Sequence, residues 1–345
     1  MNLSSLPGSI HDKLEYMNFK FQFNIVSLIL LISYLTVLFT IFIVCKMLKH
    51  FQKPVSCHVQ KSVFYSFIWM QLSNLLFYIF DNLVFRIPPS GILTSWLSST
   101  SPAFFLKFSY YFLLITNYFS TGFSLLFCLI RFVVVYFPES YRDKIRSLLK
   151  LYIPMSSILP FLLTLFLLPA TVYCKQLSTP YSFGEIYLAY IGAWDDIYYD
   201  PFNVLVNFSC TLTIFMINIL LLCRIRQMMK KRVNHSSRII KAEVSLTLMT
   251  ITMNIPYVAN AGITVLLMKS RRPFLKLLVF QIISFLDFSI SRYTLLPRQI
   301  VSDLGLCAVP WIFYLTHPMF RKKAAAVTVS HMSSRSKSKK KNWRI

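Results

Sequence analysis

Long apolar stretches, each followed by a short basic segment, recur along almost the whole chain. About 20 apolar residues in helical conformation cross the hydrocarbon core of a bilayer. Only 14% of the residues are charged, and no pattern of short alternating strands appears. We therefore predict an all-α membrane protein, a seven-transmembrane-helix bundle. Its spans lie at about 23–45, 62–85, 106–136, 151–173, 201–223, 244–268 and 274–316.

Basic residues indicate which segments face the cytoplasm. Of the 36 Lys and Arg residues, 24 lie in 46–61, 137–150, 224–243 and 321–345, whereas 11 lie in the alternate segments. This bias predicts an extracellular N-terminus at 1–22, a receptor domain at 23–320 and a basic, disordered cytoplasmic tail at 321–345. The net charge of +24 resides mainly in these segments, so we predict contact with anionic lipid rather than with nucleic acid.

The seventh span is interrupted by a polar stretch that contains Arg292 and Arg298. Without residues 286–300, the flanking apolar pieces would join into one stretch long enough for a span. One hypothesis is that 286–300 is an insertion, for example unspliced sequence in a gene model. The alternative is an extracellular helix followed by a short, broken seventh span.

Motifs of catalysis are absent from the sequence. It contains no GxSxG, P-loop, GxGxxG or HExxH motif, and its six histidines lie in tails, loops or at a span end. We therefore predict that the protein is not an enzyme and has no cofactor and no bound metal. Ionisable residues inside spans are costly and mark functional sites; here they are Asp81, Arg131, Asp287, Arg292 and Asp303.

Arg131 stands at the predicted cytoplasmic end of the third span. Phe132 follows it, and Pro138 lies seven positions after it, a spacing that resembles the Asp/Glu-Arg-Tyr motif of rhodopsin-like receptors. Ile130 replaces the acidic residue of that motif, so the ionic restraint of the receptor family is missing here. A snorkelling interfacial arginine is the alternative interpretation.

The sixth and seventh spans carry further partial matches to rhodopsin-like receptors. Met253-Asn254-Ile255-Pro256-Tyr257 resembles Cys-Trp-x-Pro-Tyr, with Asn254 in place of the tryptophan. The run from Pro310 to Tyr314 resembles Asn-Pro-x-x-Tyr, with Val309 in place of the asparagine. A proline inside a span removes a backbone hydrogen bond and permits a kink, so Pro256 is a possible pivot.

Two strings resemble the nematode serpentine chemoreceptors of the gamma-type superfamily, classes gamma, u and v. One runs from Leu129 to Pro138, and the other runs from Pro169 to Gly184. The resemblance implies seven spans, an N-terminus outside, a plasma-membrane location on sensory-neuron cilia and coupling to a heterotrimeric G protein.

These observations predict a chemosensory receptor that binds a small-molecule ligand between its helices. A multi-span small-solute transporter is the alternative, whereas an inverted receptor-channel with its N-terminus inside conflicts with the 24-to-11 distribution of basic residues. Each predicted pocket asparagine could instead mediate helix packing. The predicted ligand-pocket residues are Asn117, Asn207, Tyr257 and Asn260. The predicted residues of the switch and of G-protein coupling are Arg131, Pro138, Asn254, Pro256, Pro310 and Tyr314.

Overall fold

The computed structural model describes Leu6 and residues 8–51, 61–99, 103–177, 181–192, 199–231, 244–259, 295–317 and 320. Its α-helices are α1 (Leu14–Met17), α2 (Ile25–Phe51), α3 (Lys61–Asp81), α4 (Thr94–Ser99), α5 (Ala103–Tyr136), α6 (Tyr141–Thr164), α7 (Tyr199–Lys231), α8 (Val244–Ala259) and α9 (Leu295–Thr316). Two strands, β1 (Thr171–Gln176) and β2 (Ile186–Ile191), form an antiparallel hairpin.

Seven of these helices form the membrane bundle. Within the described residues, α2, α3, α5, α6, α7 and α9 are long and apolar enough to cross a bilayer, and α8 is a shorter apolar helix. Helices satisfy every backbone hydrogen bond internally, which lipid requires. Exposed aromatic side chains such as Phe39 and Phe42 face outward, where lipid takes the place of water. The predicted seven-helix fold class is thereby confirmed.

Two clusters of buried apolar side chains mark the two ends of the bundle. One cluster surrounds Phe67, Phe127 and Phe313, and the ring centroids of Phe67 and Phe313 lie 4.9 Å apart. Arg131 lies at this end, which we call the Arg131 end. The other cluster joins the N-terminal residue Ile10 to Leu188 in β2, and we call it the hairpin end.

Helix α6 lies earlier in the chain than the predicted span at 151–173. It begins at Tyr141, because the basic residues that precede the apolar stretch are already part of the helix. It ends at Thr164, and residues 171–173 belong to β1 instead. Hydropathy alone does not distinguish an apolar strand from an apolar helix, so the predicted span extended past the end of α6 into β1.

A π turn extends α3 at the hairpin end. Asn82–Arg86 follows Asp81 directly, and the Ile87 amide donates to the Asn82 carbonyl at 2.9 Å, a bond that spans five residues. Such turns insert one residue into a helix and often accompany functional sites. This insertion brings Asp81 and Arg86 to the same side of the helix.

The N-terminal segment and the hairpin form a cap, which comprises residues 8–24 together with β1, β2 and α4. The Ile10 amide donates to the Cys174 carbonyl at 3.2 Å, and Asn24 Nδ2 donates to Glu185 Oε1 at 2.6 Å. The predicted N-terminal region 1–22 is therefore folded from residue 8 onward.

The seventh span, α9, includes residues of the suspected insertion. Its first turns comprise residues 295–300, and Gln299 Nε2 donates to the Phe85 carbonyl at 2.9 Å. Residues 274–294 of the predicted seventh span and the tail at 321–345 lie outside the described residues, as do residues 260–268 of the predicted sixth span. The insertion hypothesis stays a prediction, and sequencing transcripts across codons 286–300 tests it.

Candidate ligand cavity and the buried charges beside it

A partly open cavity lies between α3, α5, α8 and α9. Its walls combine aromatic and aliphatic surfaces with amide and hydroxyl groups, which suits a small, partly polar molecule. The lining residues are Asn74, Phe77, Tyr78, Arg86, Asn117, Ser120, Met253, Pro256, Tyr257, Ser302, Gly305 and Leu306.

The structure brings two of the four predicted pocket residues together. Asn117 and Tyr257 both line the cavity, and so does Pro256, which was predicted as a pivot. Asn207 is not among the lining residues, and its carbonyl accepts a hydrogen bond from Thr211 Oγ1 at 2.7 Å. Asn260 lies outside the described residues.

Tyr257 connects α8 to α5 at the floor of the cavity. Its hydroxyl lies 2.7 Å from Ser124 Oγ and 3.3 Å from Ser120 Oγ. Ser120 Oγ in turn donates to Asn74 Oδ1 on α3 at 2.6 Å. Three helices therefore meet in one polar cluster, and a ligand that alters the position of Tyr257 would act on all three.

Arg131 is buried between α5 and α8, with 1% of its surface exposed. Its Nη1 donates to the Leu246 carbonyl at 2.8 Å and to Thr250 Oγ1 at 3.0 Å, and its Nη2 donates to Thr247 Oγ1 at 3.1 Å. All three acceptors lie on α8. Carbonyl and hydroxyl oxygens thus hold an arginine whose motif lacks the acidic neighbour.

The other predicted switch residues occupy separate places. Pro138 is exposed in the turn between α5 and α6, whereas Asn254 on α8 and Pro310 on α9 are buried. Tyr314 on α9 lies under Lys46 of α2, whose Nζ is 5.3 Å from the ring centroid. These residues thus lie on α8, on α9 and in the turn between α5 and α6.

A buried ionic network lies beside the cavity at the hairpin end. Arg86 Nε donates to Asp81 Oδ2 at 2.6 Å, and Arg86 Nη1 donates to Asp303 Oδ1 at 2.6 Å. Arg298 Nη2 donates to Asp81 Oδ1 at 3.1 Å. The network joins α3 to α9, and removing one member of a buried ion pair typically costs about 3–5 kcal/mol.

Sequence reasoning missed Arg86 and Arg298 as members of a site. Both were counted as loop charges, because the predicted second span ended at residue 85 and the polar stretch before Val301 was read as an interruption. The five-residue spacing of Asp81 and Arg86 does not place them together on an α-helix. Only the π turn does so, and the sequence shows no clear signal for it.

The cap contains buried groups with shifted pKa values. His11 Nε2 accepts a hydrogen bond from the Cys174 amide at 3.0 Å, and burial lowers the pKa of His11 below its usual value, although Asp12 acts in the opposite direction. Burial raises the pKa of the Cys174 thiol to about 12. Burial also raises the pKa of Glu185 above the usual value of a glutamate carboxyl group.

Metal-ligating side chains do not cluster in the part of the chain that the structure describes. No group of three or more His, Cys, Asp or Glu residues there could hold a metal ion. The two aspartates of the ionic network bind arginine guanidinium groups instead.

The fold is that of a seven-transmembrane receptor. The profile of a family described as serpentine type 7TM GPCR chemoreceptor Sru matches residues 10–323. The chain is also 30% identical over 273 residues to serpentine receptor class U-26 of Caenorhabditis elegans, an alignment that covers 77% of this chain and 93% of that receptor.

The chain therefore belongs to the Sru family of serpentine chemoreceptors. This assignment confirms the resemblance to nematode serpentine receptors and selects class u among the three classes. The family is a receptor family rather than an enzyme family, and its members are multi-pass membrane proteins.

Proposed function

We propose that this chemoreceptor binds a small-molecule ligand in the cavity between α3, α5, α8 and α9 and signals through a heterotrimeric G protein. We further propose that it works in the plasma membrane, on the cilium of a sensory neuron. The single observation that carries the proposal is the double role of α8, which contacts both the cavity and Arg131.

The cavity contacts of α8 lie on its second half. Met253, Pro256 and Tyr257 line the cavity, and the Tyr257 hydroxyl bonds to α5. Because Pro256 lacks an amide hydrogen, one backbone hydrogen bond is missing here and the helix bends more easily. A ligand in the cavity therefore acts on the weakest part of α8.

The Arg131 contacts of α8 lie on its first half. Thr247, Thr250 and the Leu246 carbonyl accept hydrogen bonds from the guanidinium group. Moving this half away from α5 breaks all three bonds and exposes Arg131 to a protein that enters the bundle from this end. A ligand that binds this open arrangement more tightly shifts the population toward it.

A reporter assay tests signalling. Cells that express the receptor with a panel of G proteins are exposed to a library of small odorants, and second-messenger output is measured. We expect a response that the Tyr257→Phe variant weakens and that Arg131→Ala abolishes, while both variants still reach the cell surface. Ligand-dependent solute uptake without any G-protein response would instead support the transporter alternative.

The orientation of the chain is tested separately with two tags. A tag before Met1 and another after Ile345 are probed with antibodies in intact and in permeabilised cells. We expect the first tag to be accessible in intact cells and the second only after permeabilisation. An accessible C-terminal tag would place the Arg131 end outside the cell and would contradict G-protein coupling there.

A further inference from the structure

The cavity presents a single charged group to its interior. Among the described residues that line it, Arg86 alone carries a charge. Neither Asp81 nor Asp303, which pair with Arg86, belongs to the lining. A molecule in the cavity therefore meets a guanidinium group, and the two carboxylates stand behind it.

Arg86 retains capacity for another acceptor. A guanidinium group has five N–H donors, and it binds a carboxylate through two parallel hydrogen bonds. Within the described part of the chain, the hydrogen bonds of Arg86 use Nε and Nη1, which contact Asp81, Asp303 and Ser33. The Nη2 group is thus left for a partner from the cavity.

The balance of charges identifies the partner that Arg86 would exchange. Two arginines and two aspartates make the network neutral, and Asp81 is bonded to both Arg86 and Arg298. Asp303 bonds to Arg86 and is the more exposed carboxylate, at 15% against 1% for Asp81. If Asp303 withdraws, the three remaining groups carry one net positive charge, which a single carboxylate neutralises.

We infer that the cavity binds a small organic anion, whose carboxylate pairs with Arg86 in place of Asp303. This inference rests on the proposal that the cavity is the ligand site. The apolar part of the anion packs against Phe77 and Leu306, and Asn117 offers it hydrogen bonds.

The exchange also explains how the anion acts on the bundle. Asp303 and Arg86 link α9 to the π turn after α3, so their separation releases the hairpin end of α9. Two residues after Asp303, Gly305 packs directly on Pro256 of α8. Release of α9 therefore reaches the pivot of α8.

The test uses the purified full-length receptor and its thermal unfolding midpoint. The probes are butanoate, hexanoate, benzoate and phenylacetate, each compared with its carboxamide and with the amine of matching carbon skeleton. We expect the carboxylates to raise the midpoint and the carboxamides and amines to leave it unchanged. Arg86→Gln should weaken carboxylate binding and so raise the half-saturating carboxylate concentration about tenfold or more. The matched control is Lys107→Gln, a cation at the hairpin end outside the cavity lining, which should bind carboxylates like the wild type.

A second variant keeps the test decisive if Arg86→Gln fails to fold. Asp303→Asn removes the internal competitor, lowers the unfolding midpoint and leaves Arg86 open to an external carboxylate. We expect acetate and formate to restore the midpoint of this variant more than they raise that of the wild type, and acetamide and chloride to have no such effect. A purely structural role for Asp303 gives the loss of stability without the carboxylate rescue.

Three results would overturn the inference: stabilisation by amines rather than carboxylates, equal stabilisation by carboxylates and carboxamides, or no carboxylate effect on any variant. The proposed signalling function fails independently. Carboxylate binding through Arg86 in a receptor that activates no G protein would leave the inference standing. Conversely, an uncharged ligand that signals equally well through Arg86→Gln would overturn only the inference.

Discussion

Gly305 in α9 and Pro256 in α8 are in direct contact, with no room for a side chain between them. A Cβ atom on residue 305 would lie 2.3 Å from Pro256 Cγ, far inside the contact distance of two carbon atoms. The ring of Pro256 is rigid and also lines the cavity. The spacing of α8 and α9 is therefore set by the absence of one methyl group.

Replacing that glycine tests the contact. Gly305→Ala must push α9 and α8 apart, and such overpacking typically costs about 1–3 kcal/mol. We expect a lower unfolding midpoint for the purified variant and a changed basal signal in the reporter assay. The control is Gly122→Ala in α5, where an added Cβ would meet its nearest neighbour, Tyr152 Oη, at an ordinary 3.8 Å. Equal destabilisation of both variants would contradict the close approach.

Two threonines of α8 provide a second test. Thr247→Val and Thr250→Val keep the size of each side chain but remove the hydroxyl groups that accept from Arg131. A hydrogen bond to a charged group contributes about 1.5–3 kcal/mol, so the arrangement that holds Arg131 against α8 should lose population. We expect higher ligand-independent G-protein activation, normalised to the amount of receptor at the surface.

The same helix offers a matched control for those threonines. Thr252→Val removes a hydroxyl that donates to the Leu248 carbonyl within α8 and does not contact Arg131. It should leave basal signalling unchanged. If Thr252→Val raises the basal signal as much as the other two variants, the hydroxyl contacts with Arg131 do not restrain the receptor.

The tyrosine at the cavity floor gives a third prediction. Tyr257→Phe removes the hydrogen bonds to Ser124 and Ser120 with little change of shape. We expect a loss of about 1 kcal/mol in the coupling of α8 to α5, observed as a lower unfolding midpoint and a weaker ligand response. Tyr65→Phe on the exposed face of α3 should change neither quantity. If Tyr257→Phe responds to ligand like the wild type, the hydroxyl group of Tyr257 does not take part in signalling.

The cap should open as the pH falls below the usual pKa of histidine. The neutral His11 ring accepts a hydrogen bond from the Cys174 amide, and burial lowers its pKa below 6.5. Below that value the opened cap binds the proton more readily than the closed cap, so the stability of the closed cap decreases. Above pH 6.5 the ring is neutral in both states, so His11 contributes no pH dependence to the stability of the cap.

Hydrogen exchange of the peptide that contains residues 8–24 measures this opening. The comparison is with His11→Gln, which does not titrate, because Glu185 has a raised pKa and its protonation shifts the balance in the opposite sense. Relative to His11→Gln, the wild-type peptide should lose protection only on the acidic side. Identical pH profiles for the two proteins would show that His11 does not control the cap.

Hydropathy and motif spacing predicted the parts of this receptor that depend on local sequence. The bundle was predicted because apolar length is visible along the chain, and Asn117 and Tyr257, which were chosen by their distance from a motif, line the cavity. The start of α6 was missed because the first residues of the helix, which follow Pro138, include basic side chains that lower the hydropathy. Asn207 was placed by depth alone, which does not determine the direction that a side chain faces.

The ionic network required information that the sequence does not contain. Arg86 and Arg298 are separated by more than two hundred positions, and they meet only through Asp81. The count of basic residues that predicts topology assigns each arginine to a loop and does not consider which carboxylate it pairs with. The hairpin was also missed, because β1 begins within the apolar stretch that was predicted as the end of a span and β2 lies in the segment that was predicted as a loop.

The π turn at Asn82–Arg86 makes the number of residues between acid and base as important as their identity. Deleting one residue of the turn would restore α-helical spacing and leave the acid and the base four positions apart, which still places them on one face of the helix. Successive residues of an α-helix are rotated by about 100°, so adding one residue would instead turn Arg86 away by that angle. Asp81 would then lose its neighbour on α3, and Asp303 would lose its link to this helix. In related receptors, an insertion of one residue between the two charges should therefore be accompanied by the loss of Asp303 as well.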